Sequence, residues 1–403
     1  MGPAQRFAEG KPVKTDTKLV TAGRPHGASP APVNPPVVRA STFLFDSLKS
    51  FQTAAKTPFD GAFYGRVGTP TTFAFEEAIC ALEGGHRSIA TASGLAAITA
   101  TITAFAEAGG HLLVPDTVYE PVRRFCTRTL GRMGIATTFY DPSIGAGIAE
   151  LITEATTLIY LESPGSGTFE VQDIPAIVDV AKARGIATAI DATWATPLYL
   201  QPLSLGVDVS IHAATKYIVG HSDGMLGVLT TNAAVYDKVR ATAQDLGGCA
   251  GVEECNLALR GLRTLGVRLE RQGAAALELA EWLETRPEVA QVLHPALPSF
   301  PGHEIWARDF TGSSGLFSIE LASHDPDAAR LFIDSLQHFS IGFSWGGFES
   351  LVLPMHPESR SLPLWEGLGP VIRLQIGLEA QDDLKGDLGQ ALDRLTAGQP
   401  DAR

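Results

Sequence analysis

The chain has 403 residues, 45% of them apolar, and a formal net charge of −13. That length exceeds one hydrophobic core and implies two domains with a short extra arm, and the acidic balance argues against a nucleic-acid partner or an anionic membrane surface, which need a concentrated basic face. No apolar run approaches the roughly 18 residues that span a bilayer, and the stretch from Met1 to Lys18 is polar and charged, so cytoplasmic residence is expected.

In chain order, residues 1–63 carry Pro25, Pro30, Pro32, Pro35 and Pro36, which predicts an extended arm with no regular element before Ser41. Residues 64–260 alternate helix-length and strand-length segments. Helices are expected at Thr71 to Leu82, Gly94 to Ala106, Glu120 to Met133 and Ile174 to Arg184, and strands at His111 to Val114, Ala136 to Phe139, Thr157 to Leu161, Ala187 to Ile190 and Val207 to Ile211. This β-α order predicts an α/β fold, a mostly parallel sheet with helices on its faces. A single long helix from Glu254 to Thr285 is expected as a bridge into a smaller α+β domain over 261–403. That domain would hold strands at Leu316 to Leu321 and Val371 to Ile376 and helices at Pro326 to Gln337 and Asp382 to Leu395. Cys80, Cys126, Cys249 and Cys255 form no CxxC pair and no cluster with the histidines; buried, reduced thiols are expected, and no metal site.

Between Thr188 and Tyr217 no Lys or Arg other than Lys216 occurs. Partial desolvation there lowers a lysine's pKa and leaves an amine able to attack a carbonyl; on position alone, a loop lysine reaching water fits as well. Such an amine needs a carbonyl cofactor, and pyridoxal 5'-phosphate is the common case. Asp191, closing an apolar strand, suits a protonated ring nitrogen or, equally, a helix cap. Ser93-Gly94-Leu95 opens a helix whose first N–H groups suit a phosphate or form an ordinary cap. Tyr119 can stack on a ring or simply pack. Arg373, in an apolar strand, suits a substrate carboxylate or an internal salt bridge.

Longer motifs carry a resemblance. Tyr64-Gly65-Arg66-Val67-Gly68-Thr69-Pro70-Thr71, Leu161-Glu162-Ser163-Pro164-Gly165-Ser166, Asp191-Ala192-Thr193-Trp194-Ala195, Ala213-Ala214-Thr215-Lys216-Tyr217 and Ser344-Trp345-Gly346-Gly347-Phe348-Glu349-Ser350 occur in order. From Tyr64 to Leu395 the chain resembles the Cys/Met-metabolism pyridoxal-phosphate enzymes, and within them the bacterial cystathionine β-lyase branch. The resemblance implies an aspartate-aminotransferase-like fold (fold type I) and a homo-oligomer, typically a tetramer built from dimers that share active sites.

Residue by residue, it implies that Lys216 bonds the cofactor and acts as general base, that Asp191 holds the ring nitrogen and that Tyr119 stacks. Gly94, Leu95, Thr215 and Ala213 would surround the phosphate, Tyr64 and Arg66 would reach it from a neighbouring subunit, and Ser344, Trp345 and Arg373 would line the substrate carboxylate site. The implied reaction converts cystathionine to homocysteine, pyruvate and ammonia, within methionine synthesis. Alternatives are a β-lyase or a β/γ-replacement enzyme on another S-substituted cysteine, and a cofactor-binding regulator with little turnover. The chain departs from the pattern at Ala192, Phe343, Phe348, Gln375, Gly167 and Asn256. Phe343 and Phe348 stand where the resemblance expects tyrosines, and each lost hydroxyl is worth about 1 kcal/mol if it served a hydrogen bond; singly each change reads as neutral drift, and their number together adds weight to an altered reading of the group beyond sulfur.

Overall fold

The computed structural model describes residues 13–25, 30–325, 327–357, 360–363 and 367–397. A seven-stranded sheet is built from β1 (Arg87–Thr91), β2 (His111–Pro115), β3 (Ala136–Tyr140), β4 (Thr156–Glu162), β5 (Ala187–Asp191), β6 (Val209–His212) and β7 (Gly227–Thr231), in the order β1-β7-β6-β5-β4-β2-β3. The β6-β5-β4-β2-β3 run is parallel, whereas β7 is antiparallel to both β1 and β6. β2 is buried along its whole length and β4 at all but one position, as expected for strands covered on both faces.

A second sheet, ordered β10-β11-β12-β9-β8, comprises β8 (Val289–Leu293), β9 (Leu316–Leu321), β10 (Ser340–Ile341), β11 (Leu351–Met355) and β12 (Val371–Gln375). One apolar cluster joins Ile159 and Ile190 of the first sheet to Phe317, Ile319 and Ile372 of the second. The two layers therefore share a core, which fixes β12 relative to β5.

The expected helices and strands of the main sheet occur, with ends within two residues. The Glu120 segment contains a π turn, Phe125–Leu130, after the helix Glu120–Arg124. The helix Pro70–Glu83 starts on a reciprocal Thr69–Thr72 cap with proline in its first turn, and stops at Gly84, whose φ of 66° lies in the left-handed region.

Two expectations are corrected. The arm does contain an element before Ser41, the helix Thr15–Thr21, which buries Leu19 against Phe75 and Leu259. Arg263 Nη1 donates to Leu19 O (2.7 Å) and Ala22 O (2.9 Å), satisfying carbonyls that the helix end leaves free. The long helix from Glu254 to Thr285 is instead two, Val252–Leu262 and Leu265–Leu283. Arg268 occupies the break: its guanidinium donates to Gly261 O and to Tyr217 O, both at 2.8 Å. The broken helix thus ties itself to the residue after Lys216. Pro326, the expected start of one C-terminal helix, lies outside the described residues, and that helix runs Ala328–Ser335.

All four cysteines are free, but they are not uniformly buried: Cys126 and Cys255 are, Cys80 is half-buried and Cys249 is exposed. Among the described residues no helix is long and apolar enough to cross a membrane, and no group of three or more His, Cys, Asp or Glu could hold a metal.

Candidate active site

The carboxyl ends of β4, β5 and β6 open on one rim, where α/β sheets place their ligands. Register sets Glu162 opposite Asp191 and Asp191 opposite Ile211. The turn after β6 then carries Ala213, Thr215 and Lys216 to the same edge. The second sheet supplies the facing wall, because β12 holds Arg373 and the loop before β11 holds Ser344 and Trp345.

Lys216 Nζ donates to Ser344 Oγ at 2.7 Å and lies 5.1 Å from the centre of the Trp345 ring. Burial, then the Arg373 charge, lowers the lysine to about 8, with Asp191 opposing. The amine is therefore available near neutral pH. Arg373 donates to Ser344 O at 3.0 Å and is itself lowered to about 10 by burial. Among the described residues no carboxylate pairs with it, so the internal salt bridge left open by the sequence is absent there. A half-buried, unpaired guanidinium favours a carboxylate ligand.

Asp191 Oδ1 accepts from Thr193 N (2.9 Å) and from the Thr193 hydroxyl, and that hydroxyl accepts from Ala213 N at 2.8 Å. Thr193 therefore couples the carboxylate to the lysine-bearing turn. The sequence reading gave Thr193 no role, although a threonine two residues after an aspartate is the usual donor to such a side chain. Burial raises Asp191, opposed by the Thr193 bonds, then His212 and Lys216. Burial and the Asp191 charge push Glu162 well above the usual carboxylate range. Of two carboxylates in register, Glu162 is thus the one to take a proton, leaving Asp191 the anion. Glu162 also accepts from Tyr119 N at 2.9 Å, which holds Tyr119 at the rim. The tyrosine is partly exposed, and its hydroxyl is raised by burial first and then by Asp191 and Glu162.

At the helix Gly94–Phe105, Ser93 Oγ accepts from Ala96 N at 3.1 Å. The N–H groups of Gly94 and Leu95 have no acceptor among the described residues. A Cβ on Gly94 would lie 2.5 Å from Ala213 Cβ, so glycine lets this helix end touch the lysine turn. Thr215 donates its hydroxyl proton to Leu226 O (3.1 Å) and accepts from Leu226 N (2.9 Å). The donor set suits pyridoxal phosphate: two free N–H groups at a helix start and a nearby hydroxyl for a dianion, an anionic carboxylate for a ring nitrogen and a low-pKa amine.

Lys216, Asp191, Tyr119, Ser344, Trp345 and Arg373 are thus brought together, with Gly94, Ala213 and Thr215 beside them. Tyr64 and Arg66 make no hydrogen bond to this group within the chain. Tyr64 is exposed and bridges Thr42, and Arg66 donates to Gln244 O (3.0 Å) and Oε1 (2.9 Å). The departures separate by location. Gln375 is buried, accepting from the Tyr217 hydroxyl at 3.2 Å, and Gly167 has a φ of 85°, in the left-handed region that favours glycine. Ala192 is packed in the core and Asn256 is half-buried in the helix Val252–Leu262. Phe343, 92% exposed, and Phe348, 52% exposed, flank the Ser344–Gly347 turn.

A fold type I sheet bearing this constellation defines a pyridoxal-phosphate enzyme. The chain belongs to the Cys/Met metabolism PLP-dependent enzyme family, whose model matches residues 16–393. It is 43% identical over 392 residues to the cystathionine beta-lyase MetC of Escherichia coli (strain K12), covering 95% of this chain and 99% of that protein. It is also 40% identical over 396 residues to an L-alanine/L-glutamate racemase of Wolbachia pipientis wMel, covering 95% and 98%. A crystal structure of cystathionine gamma synthase from Xanthomonas oryzae pv. oryzae superposes with a TM-score of 0.88 at 30% identity, covering 96% of this chain and 100% of that one.

Proposed function

We propose that the chain is a carbon–sulfur β-lyase that converts cystathionine and water to homocysteine, pyruvate and ammonia. The observation that carries the reading is the pairing of a lysine lowered to about 8 with an unpaired Arg373 across one serine. A base and a carboxylate clamp at that spacing hold an amino acid with its Cα hydrogen over the lysine.

Pyridoxal phosphate bound to Lys216 supplies a sink for the electrons released at Cα. Asp191, supported by Thr193, would hold its ring nitrogen, Tyr119 would cover the ring, and Gly94, Leu95, Ala213 and Thr215 would surround the phosphate. Arg373 binds the substrate α-carboxylate and Trp345 walls the site. Lys216 removes the Cα proton and returns a proton to the departing thiolate, and Ser344 Oγ steers the amine between these positions. Tyr64 and Arg66 serve the site of a neighbouring copy, so the working form is a homo-oligomer, a tetramer of site-sharing dimers, with the arm over 1–63 clasping the partner. The division at 64–260 and 261–403 separates the cofactor-binding part from the part that carries Arg373. The enzyme acts in the cytoplasm.

The test follows keto acid and thiol release from cystathionine and from S-alkyl cysteines. Keto acid and homocysteine from cystathionine support the reading; keto acid from S-alkyl cysteines alone moves the activity to another S-substituted cysteine. A second reading, reprotonation at Cα without loss of a β substituent, is favoured by the likeness to the racemase. Formation of the D-enantiomer from L-alanine at a rate above that of keto acid release from cystathionine would replace the first reading with this one.

A further inference from the structure

The helix Leu265–Leu283 gives no side chain to the chemistry above, yet two of its residues hold the backbone that does. Arg268 and Gln272 stand four residues apart on one helix face and are buried; every other buried position of this helix is Leu, Ala or Gly. Arg268 Nη1 donates to Tyr217 O, next in chain to Lys216, at 2.8 Å. Gln272 Nε2 donates to Gly347 O at 2.7 Å and to Ile376 O at 3.1 Å. These two carbonyls belong to separate segments, and each lies three residues beyond a member of the clamp, Gly347 beyond Ser344 and Ile376 beyond Arg373. One amide nitrogen therefore pins the Ser344 turn to the end of the Arg373 strand.

The lysine turn and the Ser344 turn already touch. A Cβ on Gly346, whose φ is 83°, would lie 2.8 Å from Tyr217 N and 3.0 Å from Lys216 C, and the Tyr217 and Trp345 rings are 5.5 Å apart. Any slide of one turn along the other is thus transmitted to the bond between Lys216 Nζ and Ser344 Oγ. With Arg268 holding the first turn and Gln272 the second, roughly one helical turn, a rise of about 6 Å, fixes their offset. Gln272 Oε1 is buried without a hydrogen-bond partner among the described residues. A leucine would fill the space and leave no such acceptor unpaired. The use of an amide here lies in its N–H groups, which answer two carbonyls at once.

We propose that Gln272 is a positioning residue of the reaction: together with Arg268 it sets the base, Lys216, at its working distance from the clamp of Ser344 and Arg373. The inference rests on the assignment of base and clamp made above. Both residues act through backbone carbonyls and take no part in the proton transfers.

The experiment compares the wild-type holoenzyme with Q272L, Q272E and, as a control for stability, L279A. Leu279 is buried in the same helix and has no group to donate to these carbonyls. Two quantities are read, kcat and KM for keto acid release from cystathionine and the pH midpoint of the visible band of the lysine-bound cofactor. In Q272L kcat/KM should fall about tenfold through both kcat and KM. The midpoint should rise by about half a unit, because the Arg373 charge, which disfavours a proton on the lysine nitrogen, moves away from it. In Q272E a carboxyl so buried stays protonated and donates to one carbonyl, so the loss should be only about threefold. L279A should melt at a lower temperature with kcat/KM within twofold of the wild type and its midpoint unmoved. An unmoved midpoint in Q272L, or a loss of kcat/KM as large in L279A, overturns the inference. Where Q272L does not fold, Q272E decides, and an unmoved midpoint there overturns it as well. The midpoint needs no turnover, so it still tests the inference if the wild type releases no keto acid from cystathionine, a result that removes the β-lyase reading alone.

Discussion

Ser344 Oγ accepts a 2.7 Å hydrogen bond from Lys216 Nζ, and Ser344 is a non-glycine residue at a φ of 79°. The left-handed conformation costs energy that most residues avoid. Here it turns the hydroxyl toward the lysine while the carbonyl of the same residue accepts from Arg373. One residue thereby sets the separation between base and clamp. Ser344→Ala should lower kcat about tenfold by removing the acceptor, with little change in thermal stability. Steady-state kinetics and a melting curve check both.

Arg373→Lys should raise KM more than it lowers kcat, with kcat/KM down about 100-fold. The ammonium keeps the charge but cannot grip a carboxylate with two parallel bonds. Steady-state kinetics on cystathionine provide the measure.

Thr193→Val should weaken cofactor binding about tenfold, because it removes the hydroxyl that both supports Asp191 and accepts from Ala213 N. Cofactor titration of the stripped protein reads this directly. An unchanged affinity would mean that the backbone N–H of Thr193 alone suffices to hold Asp191.

The lowered lysine has a signature in the cofactor-free protein. Between a folded pKa of about 8 and the ordinary 10.5, the unfolded chain binds more protons at Lys216 than the folded chain does. Stability from this group therefore rises with pH across that window, and the penalty is fully present below it. Lys216→Met should be more stable than the cofactor-free wild type at pH 7, with the advantage shrinking toward pH 10.5. Urea unfolding at several pH values measures it.

The readable parts of the chain were those whose signal is local. The strands ending at Glu162 and Asp191 announce themselves as apolar runs closed by a carboxylate, and they lie side by side in register. The helix at Gly94 is marked by its cap. The break at Arg263–Thr264 is not legible in the apolar periodicity; Arg268 bridges it, reaching back to Gly261 O and across to Tyr217 O. No strand is expected from sequence at Gly227–Thr231, where β7 runs antiparallel between β6, close by in the chain, and β1, far away in it. Within the site, Thr193 acts through a bond to Ala213, twenty residues on, which periodicity cannot reveal. Gln375 is expected from sequence to contribute to substrate choice, yet it is buried and accepts from the Tyr217 hydroxyl, although it shares a face of β12 with Arg373 two residues before it. Of the changes read that way, Phe343 and Phe348 remain exposed beside the Ser344–Gly347 turn.

The central claim is that Lys216 is both the attachment point of the cofactor and the base. The direct measurement is keto acid release from cystathionine by Lys216→Ala, together with its visible absorbance after incubation with pyridoxal phosphate. Loss of the cofactor's protein-bound band and a fall in turnover of about 10²–10⁴-fold are expected. Turnover within tenfold of the wild type would contradict the claim.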